Sequence, residues 1–194
     1  MPTPTRVSPH ARRDVVAAFG YTPRQAAIVL RGAHATERAA WEADVIPGEA
    51  GAVFRVLATL CGALFAGGAL YISVVEHPAR LRTGAAAAAE GFRQMYKRAA
   101  PWQASLAAIS SLSGLGAAFS ARDWRWALGA VALGVVIPYT LTVMMPINRL
   151  LLGDSALDEA QAASLLGRWG ALHWVRSVVS TLGVLIFLCA LAWR

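Results

Sequence analysis

The stretch "VLATLCGALFAGGALYISVVEHPARLR", Val56 to Arg82, decides how the chain is read. From Val56 to Val75 it carries no formal charge. A membrane span needs roughly 20 such residues, at about 1.5 Å of helical rise each across about 30 Å of hydrocarbon. Glu76, His77, Pro78 and Arg80 then come without a polar spacer. A carboxylate, an imidazole and a guanidinium at the exit of a span call for a reason.

Three further stretches repeat the apolar pattern. They are "PWQASLAAISSLSGLGAAF" (Pro101–Phe119), "WALGAVALGVVIPYTLTVMM" (Trp126–Met145) and "WVRSVVSTLGVLIFLCALAW" (Trp174–Trp193). Ser105, Ser110, Ser111 and Ser113 make the first of these more polar, which suits a helix packed closely on its neighbours. The expected fold is all-α: an integral membrane four-helix bundle with short helical extensions in the loops. The spans are placed at about 54–75, 101–119, 126–145 and 173–193. Composition agrees, with 57% hydrophobic and 15% charged residues in 194, where soluble domains average about a quarter charged.

Residues 1–50 read as a basic, partly disordered tail and residues 51–194 as the membrane domain. Within the tail, residues 23–45 have the pattern of a surface helix, and "IPGEAG" breaks the chain before the first span. Residues 1–30 show no apolar run before a small-residue cleavage site, so the first span is expected to stay in the mature chain. The net charge of +7 is scattered arginine with a single lysine. It forms no stripe of the kind that binds nucleic acid. Cys61 and Cys189 lie inside spans without redox or metal-ligand spacing. The expected location is a cell membrane, multi-pass, with both termini on one side. The arginines beside the spans and those of the tail point to opposite orientations, which stays open.

Two loop segments contain strong helix formers. "GAAAAAEGFRQMYKRAA" (Gly84–Ala100) is expected to extend the second helix, and "DSALDEAQAASLLGRW" (Asp154–Trp169) the fourth. Asp154 or Ser155 would cap the latter, with Leu165, Leu166 and Trp169 facing inward.

The unusual polar residues fall at one membrane edge. Glu76, His77 and Arg80 end span one, and Tyr96 and Trp102 begin span two. Tyr139, Thr140 and Asn148 lie near the end of span three, and Trp169, His173 and Arg176 begin span four. Trp169, His173 and Arg176 stand at i, i+4 and i+7, one face of a helix; Thr140, Met144 and Asn148 stand at successive i+4 steps. Pro138 and Pro146 lack an N–H and free backbone carbonyls nearby. Taken singly, such arginines only snorkel and such tryptophans only mark the headgroup belt. Together they outline a polar pocket open at one interface.

Three motifs carry a resemblance: "VEHPAR" (Val75–Arg80), "PYTLTVMMPINRLLL" (Pro138–Leu152) and "WGALHWVRS" (Trp169–Ser177). They are similar to the anthrone-oxygenase-like membrane proteins, over about residues 52–194. The resemblance implies a four-helix membrane fold and, as in fungal members, oxidation of anthrones to anthraquinones. It implies site positions at His77, Arg80, Pro146, Asn148, Trp169, His173 and Arg176. In that chemistry His173 or His77 would act as base, Arg176 or Arg80 would stabilise the developing oxyanion, and Asn148 would orient it. Trp169, Trp102 and Tyr139 would flank a flat ring, with Tyr96, Thr140 and Met144 completing the substrate contacts. The partners would be the lipid bilayer, an apolar small molecule and O2. No cofactor is required. The alternative of an iron or copper site would draw on His77, His173 and Glu76. A second class of function is non-enzymatic: a membrane scaffold or an apolar-ligand binder.

Overall fold

The computed structural model describes residues 48–153 and 157–193, together with Thr22. The tail's expected disorder and its surface helix over 23–45 lie outside the described residues. Residues 49–194 form one compact unit. Among the described residues there is no strand. Four helices account for nearly all of them: α1 (Gly48–Leu81), α2 (Ala85–Ala121), α3 (Trp124–Leu152) and α4 (Glu159–Ala192). Each is long and apolar enough to cross a bilayer, which makes the chain an integral membrane protein. Leu60, Leu64, Leu112, Phe119, Val131 and Leu182 point outward from the bundle. So broad an apolar exterior is stable only against lipid.

The helices outrun their apolar stretches. α2 has 37 residues, about 55 Å at 1.5 Å per residue. The expected extensions are present in α2 and α4, and the turns between helices are correspondingly short. Within "IPGEAG" the helix is described from Gly48 onward, and Ile46 and Pro47 lie outside the described residues. Only Arg82–Gly84 separates α1 from α2, and only Arg122 and Asp123 separate α2 from α3.

Local chemistry sets each of these ends. Gly84 takes a φ of 92°, open to glycine at no steric cost. The Glu159 carboxylate accepts from the N–H groups of Ala85 and Ala86 at 2.5 and 3.0 Å. An anion from α4 thus satisfies the positive N-terminus of α2. α4 is capped by Asp158, which accepts from Gln161 N–H at 2.7 Å, while Gln161 answers the Asp158 backbone. The cap is therefore Asp158 and not Asp154 or Ser155, which lie outside the described residues. The reciprocal box needs a Gln or Glu three residues on, and Gln161 supplies it to Asp158. Asp123 caps α3 through Arg125 N–H. The Arg125 guanidinium beside it holds the Asp123 carboxyl below its usual range.

α3 packs along both α2 and α4. Small residues let the backbones close in, as lipid-embedded packing requires. Ser110 donates to Ala58 O of α1 at 2.7 Å and Ser111 to Ala130 O of α3 at 2.9 Å. Phe187 is fully buried, stacked on Trp126 at 5.2 Å between centroids. A Cβ on Gly129 would sit 2.5 Å from the Phe187 ring and 3.1 Å from Gly183 O. Gly67, on α1, has open space around it.

Gly129→Ala is expected to destabilise the bundle by roughly 1–3 kcal/mol, since the insertion meets ring and backbone at once. Gly67→Ala should be neutral or stabilising by up to about 1 kcal/mol. Thermal unfolding in detergent checks the pair. Equal shifts would show that the α3–α4 crossing does not depend on the missing side chain.

Candidate functional site

Two helices abandon α-geometry at the polar edge. Residues Ile72–Glu76 of α1 and Thr140–Met144 of α3 are π-helical. In each, an N–H reaches back five residues: His77 to Ile72 O, and Met145 to Thr140 O. Such single turns insert one residue and rotate everything beyond them. Pro138 stands just before the second π turn, and Thr142 donates to its carbonyl at 2.8 Å.

Between the helices lies a cavity of about 280 Å³. Its walls are mostly apolar, with Phe65, Ile72, Ala107 and Val136 among them. The polar groups that reach it are Tyr96, Gln103, Thr140, the Trp169 indole, His173 and Arg176. The lining residues Pro101 and Ala104 of α2 and Leu141 of α3 are also exposed on the outside of the bundle. They mark a mouth between α2 and α3.

His173 is almost fully buried, and its Nδ1 lies 3.0 Å from Ser73 Oγ. Its ring stacks on Trp169 at 4.6 Å. Trp169 Nε1–H donates to Asn148 Oδ1 at 3.0 Å, and Asn148 Nδ2 donates to Tyr96 OH at 3.0 Å. Asn148 thereby holds one aromatic wall residue from α4 and one from α2. Phe92 meets the Trp169 edge at 5.1 Å and packs beside Tyr96.

Arg176 reaches the cavity one turn beyond His173. Its Nη2 donates to Gln103 Oε1 at 3.1 Å, and its guanidinium carbon lies 5.3 Å from the Phe65 centroid. Its Nε is buried without a partner. Among the described residues no carboxylate pairs with it. Arg80 differs, because its guanidinium is ion-paired with Glu76 and lies over Phe92 at 5.9 Å.

Of the residues expected from the sequence, Tyr96, Thr140, Trp169, His173 and Arg176 line the cavity. His77 stands behind Trp169, 5.2 Å between ring centroids, with its Nε2 against Gly170. Asn148 and Arg80 also sit behind the wall. Tyr139 donates to Leu172 O at 3.2 Å, outside the lining. Trp102 points away and is 63% exposed. Met144 is buried in the core beside the cavity, and Met145 takes the lining position. The π turn is the cause: from Thr140, the next residue on the same face is five along, not four. Glu76, His77 and His173 do not assemble as metal ligands, for no group of three His, Cys, Asp or Glu among the described residues could hold an ion. Glu76 turns to Arg80 and His173 to Ser73 instead.

Gln103, Phe65, Ser73, Ser177 and Met145 were not anticipated. Gln103 had a signal, since it lies seven residues after Tyr96 and so shares its face. Ser73 and Ser177 each lie four residues from a histidine, His77 and His173.

Fold and cavity together define a membrane-embedded four-helix bundle with a mostly apolar cavity that is polar at one end. Residues 92–186 match the family model described as Anthrone oxygenase, so that part of the bundle is similar to this family. The match takes in Tyr96, Asn148, Trp169, His173 and Arg176 but ends short of Ser73, Glu76, His77 and Arg80. Comparison with curated proteins and with solved structures gave no match.

Asn148→Ala should cost about 1–3 kcal/mol, because the buried Trp169 N–H loses its acceptor. Tyr96→Phe removes only one of the two bonds and should cost less. Thermal midpoints of the two variants in detergent compare them. A larger loss for Tyr96→Phe would deny Asn148 its bridging role.

Proposed function

We propose that the protein is a membrane oxygenase that oxidises an anthrone-type aromatic ketone with O2 inside this cavity. The observation that carries the reading is the pairing of His173 with Arg176 on one face of α4. The pair gives an imidazole and a guanidinium with no carboxylate paired to them among the described residues, both in a mostly apolar cavity.

The chemistry needs little more. Anthrone is a carbon acid, whose ring CH2 lies opposite a ketone. His173 takes one proton through Nε2, since its Nδ1 faces Ser73 and no hydrogen bond to Nε2 forms among the described residues. The electron pair moves onto the ketone oxygen, giving a phenolate-type anion. Arg176 holds that oxygen, and the Gln103 amide oxygen holds the guanidinium. The carbanion form then gives two electrons to O2, and a C–O bond forms. The proton held by His173 passes to the peroxide. Loss of the second proton from the same carbon breaks the O–O bond, expels water and leaves the quinone. The sum is anthrone plus O2 to anthraquinone plus water. The substrate carbanion is itself the reductant, so the proposal calls for no metal or organic cofactor. Substrate and O2 are both apolar and would enter from the bilayer between α2 and α3. Trp169 and Tyr96 would face the ring system.

The test is oxygen uptake by the purified, detergent-solubilised protein with emodin anthrone, with metal content measured on the same sample. Uptake above the spontaneous rate is expected, falling about a hundredfold in His173→Gln. Arg176→Gln should lower it similarly. A carrier of apolar molecules would bind the ring compound without consuming O2, and that result would overturn the proposal. Uptake that tracks a stoichiometric metal would overturn its cofactor-free form.

A further inference from the structure

Ser73 of α1 and Ser177 of α4 form a buried relay that ends on His173. Ser177 Oγ lies 3.0 Å from Ala69 O and 2.8 Å from Ser73 Oγ. Ser73 Oγ lies 3.0 Å from His173 Nδ1. Both serines are buried, in the same layer as the first π turn.

Proton counting gives this chain a direction. A hydroxyl has one proton to donate and lone pairs to accept with, while a backbone carbonyl only accepts. Ser177 Oγ has two carbonyls in reach, Ala69 O at 3.0 Å and His173 O at 3.3 Å; with its proton on either of them, its oxygen receives the proton of Ser73. Ser73 is then left with lone pairs alone towards the imidazole. Nδ1 must therefore carry the ring proton, and the lone pair falls on Nε2. The reverse order would leave Ala69 O without the Ser177 proton. It would also place an N–H on Nε2, where no acceptor stands among the described residues.

We propose that Ser73 and Ser177 are positioning residues that hold neutral His173 as the Nδ1–H tautomer, with Nε2 as the proton acceptor in the cavity. The role of that acceptor in turnover rests on the oxygenase reading above; the tautomer does not. Backbone carbonyls, with Ala69 O of α1 the nearer, thus set the protonation pattern of the base through two hydroxyls and no carboxylate. In the apolar surroundings an acid at this position would bring a charge with it. A pair of serines orients the ring with neutral groups only.

Histidine-selective 15N labelling of the full-length protein in detergent tests the proposal. The His173 signals are those lost in His173→Gln. In the wild type, Nδ1 should show the protonated shift with its one-bond proton coupling, and Nε2 the unprotonated shift. Ser177→Ala frees the Ser73 proton to turn towards Nδ1, so the spectrum should move to the Nε2–H form. Ser177→Thr keeps a hydroxyl and should keep the wild-type pattern. With emodin anthrone, Ser177→Ala should lower kcat about tenfold or more with KM little changed, and Ser177→Thr should restore it. A wild-type spectrum with the proton on Nε2 would overturn the proposal, as would an unchanged tautomer in Ser177→Ala. If Ser177→Ala does not fold, the wild-type spectrum decides alone. Absence of anthrone turnover in the wild type would remove the oxygenase reading and leave the tautomer to its own spectrum.

Discussion

Lipid offers no hydrogen bonds, so every polar group that enters this bundle must be answered from within it. Arg176 makes that demand most severely. Its guanidinium is met from α2 by the Gln103 carbonyl and from α1 by the Phe65 ring. Both contacts are neutral. They hold the cation in place and leave its charge intact, and they tie three helices around one end of the cavity. Several neutral polar groups are answered in the same way. Asn148 joins α3 to α2 and α4, Ser177 joins α4 to α1, and Ser110 joins α2 to α1.

The two π turns fit this scarcity of partners. A π turn lengthens one backbone bond to five residues and shifts the register of the helix beyond it. In α3 the shift brings Met145 onto the cavity and sends Met144 into the core. In α1 it lies between Ile72, which faces the cavity, and His77, which faces Trp169. The departures from α-geometry sit at the polar edge, while the opposite end of the bundle, around Phe187, closes on small residues in regular helices.

The same physics governs what could be read from the sequence. Span number and helix type were legible because hydrocarbon thickness imposes a run of apolar residues that little else produces. The Trp169–His173–Arg176 face of α4 was legible because that segment is regular helix, where i, i+4 and i+7 hold. The serines of α2 were legible as packing residues, and Ser110 and Ser111 do bond across to α1 and α3. Legibility stopped at lateral packing. Trp102 and Gln103 are neighbours in sequence, yet one faces out and the other in, and only the rotation of α2 decides which. His77 and Trp169 compete for one wall, and the larger ring takes it. Met144 was misplaced because an i+4 rule cannot see a π turn. The Asp158 cap was hidden among several acidic and hydroxyl residues that could each have started the helix.

The sequence offers two arginines for an oxyanion, and the structure separates them. Arg80 lies over Phe92 and is paired with Glu76, so its charge is already met within α1. A ligand there would have to displace a carboxylate or sit beside it. Arg176 lines the cavity with no carboxylate on it. In surroundings of low polarity the attraction between a cation and a developing anion is several times what water would allow. Had an acid paired with Arg176, the bundle would have gained little, since the attraction within a buried pair barely offsets its desolvation, and the cavity would have lost an unneutralised lining cation. An unpaired guanidinium held by an amide and a ring is costly to keep in a membrane. That cost is intelligible if a ligand oxygen completes it.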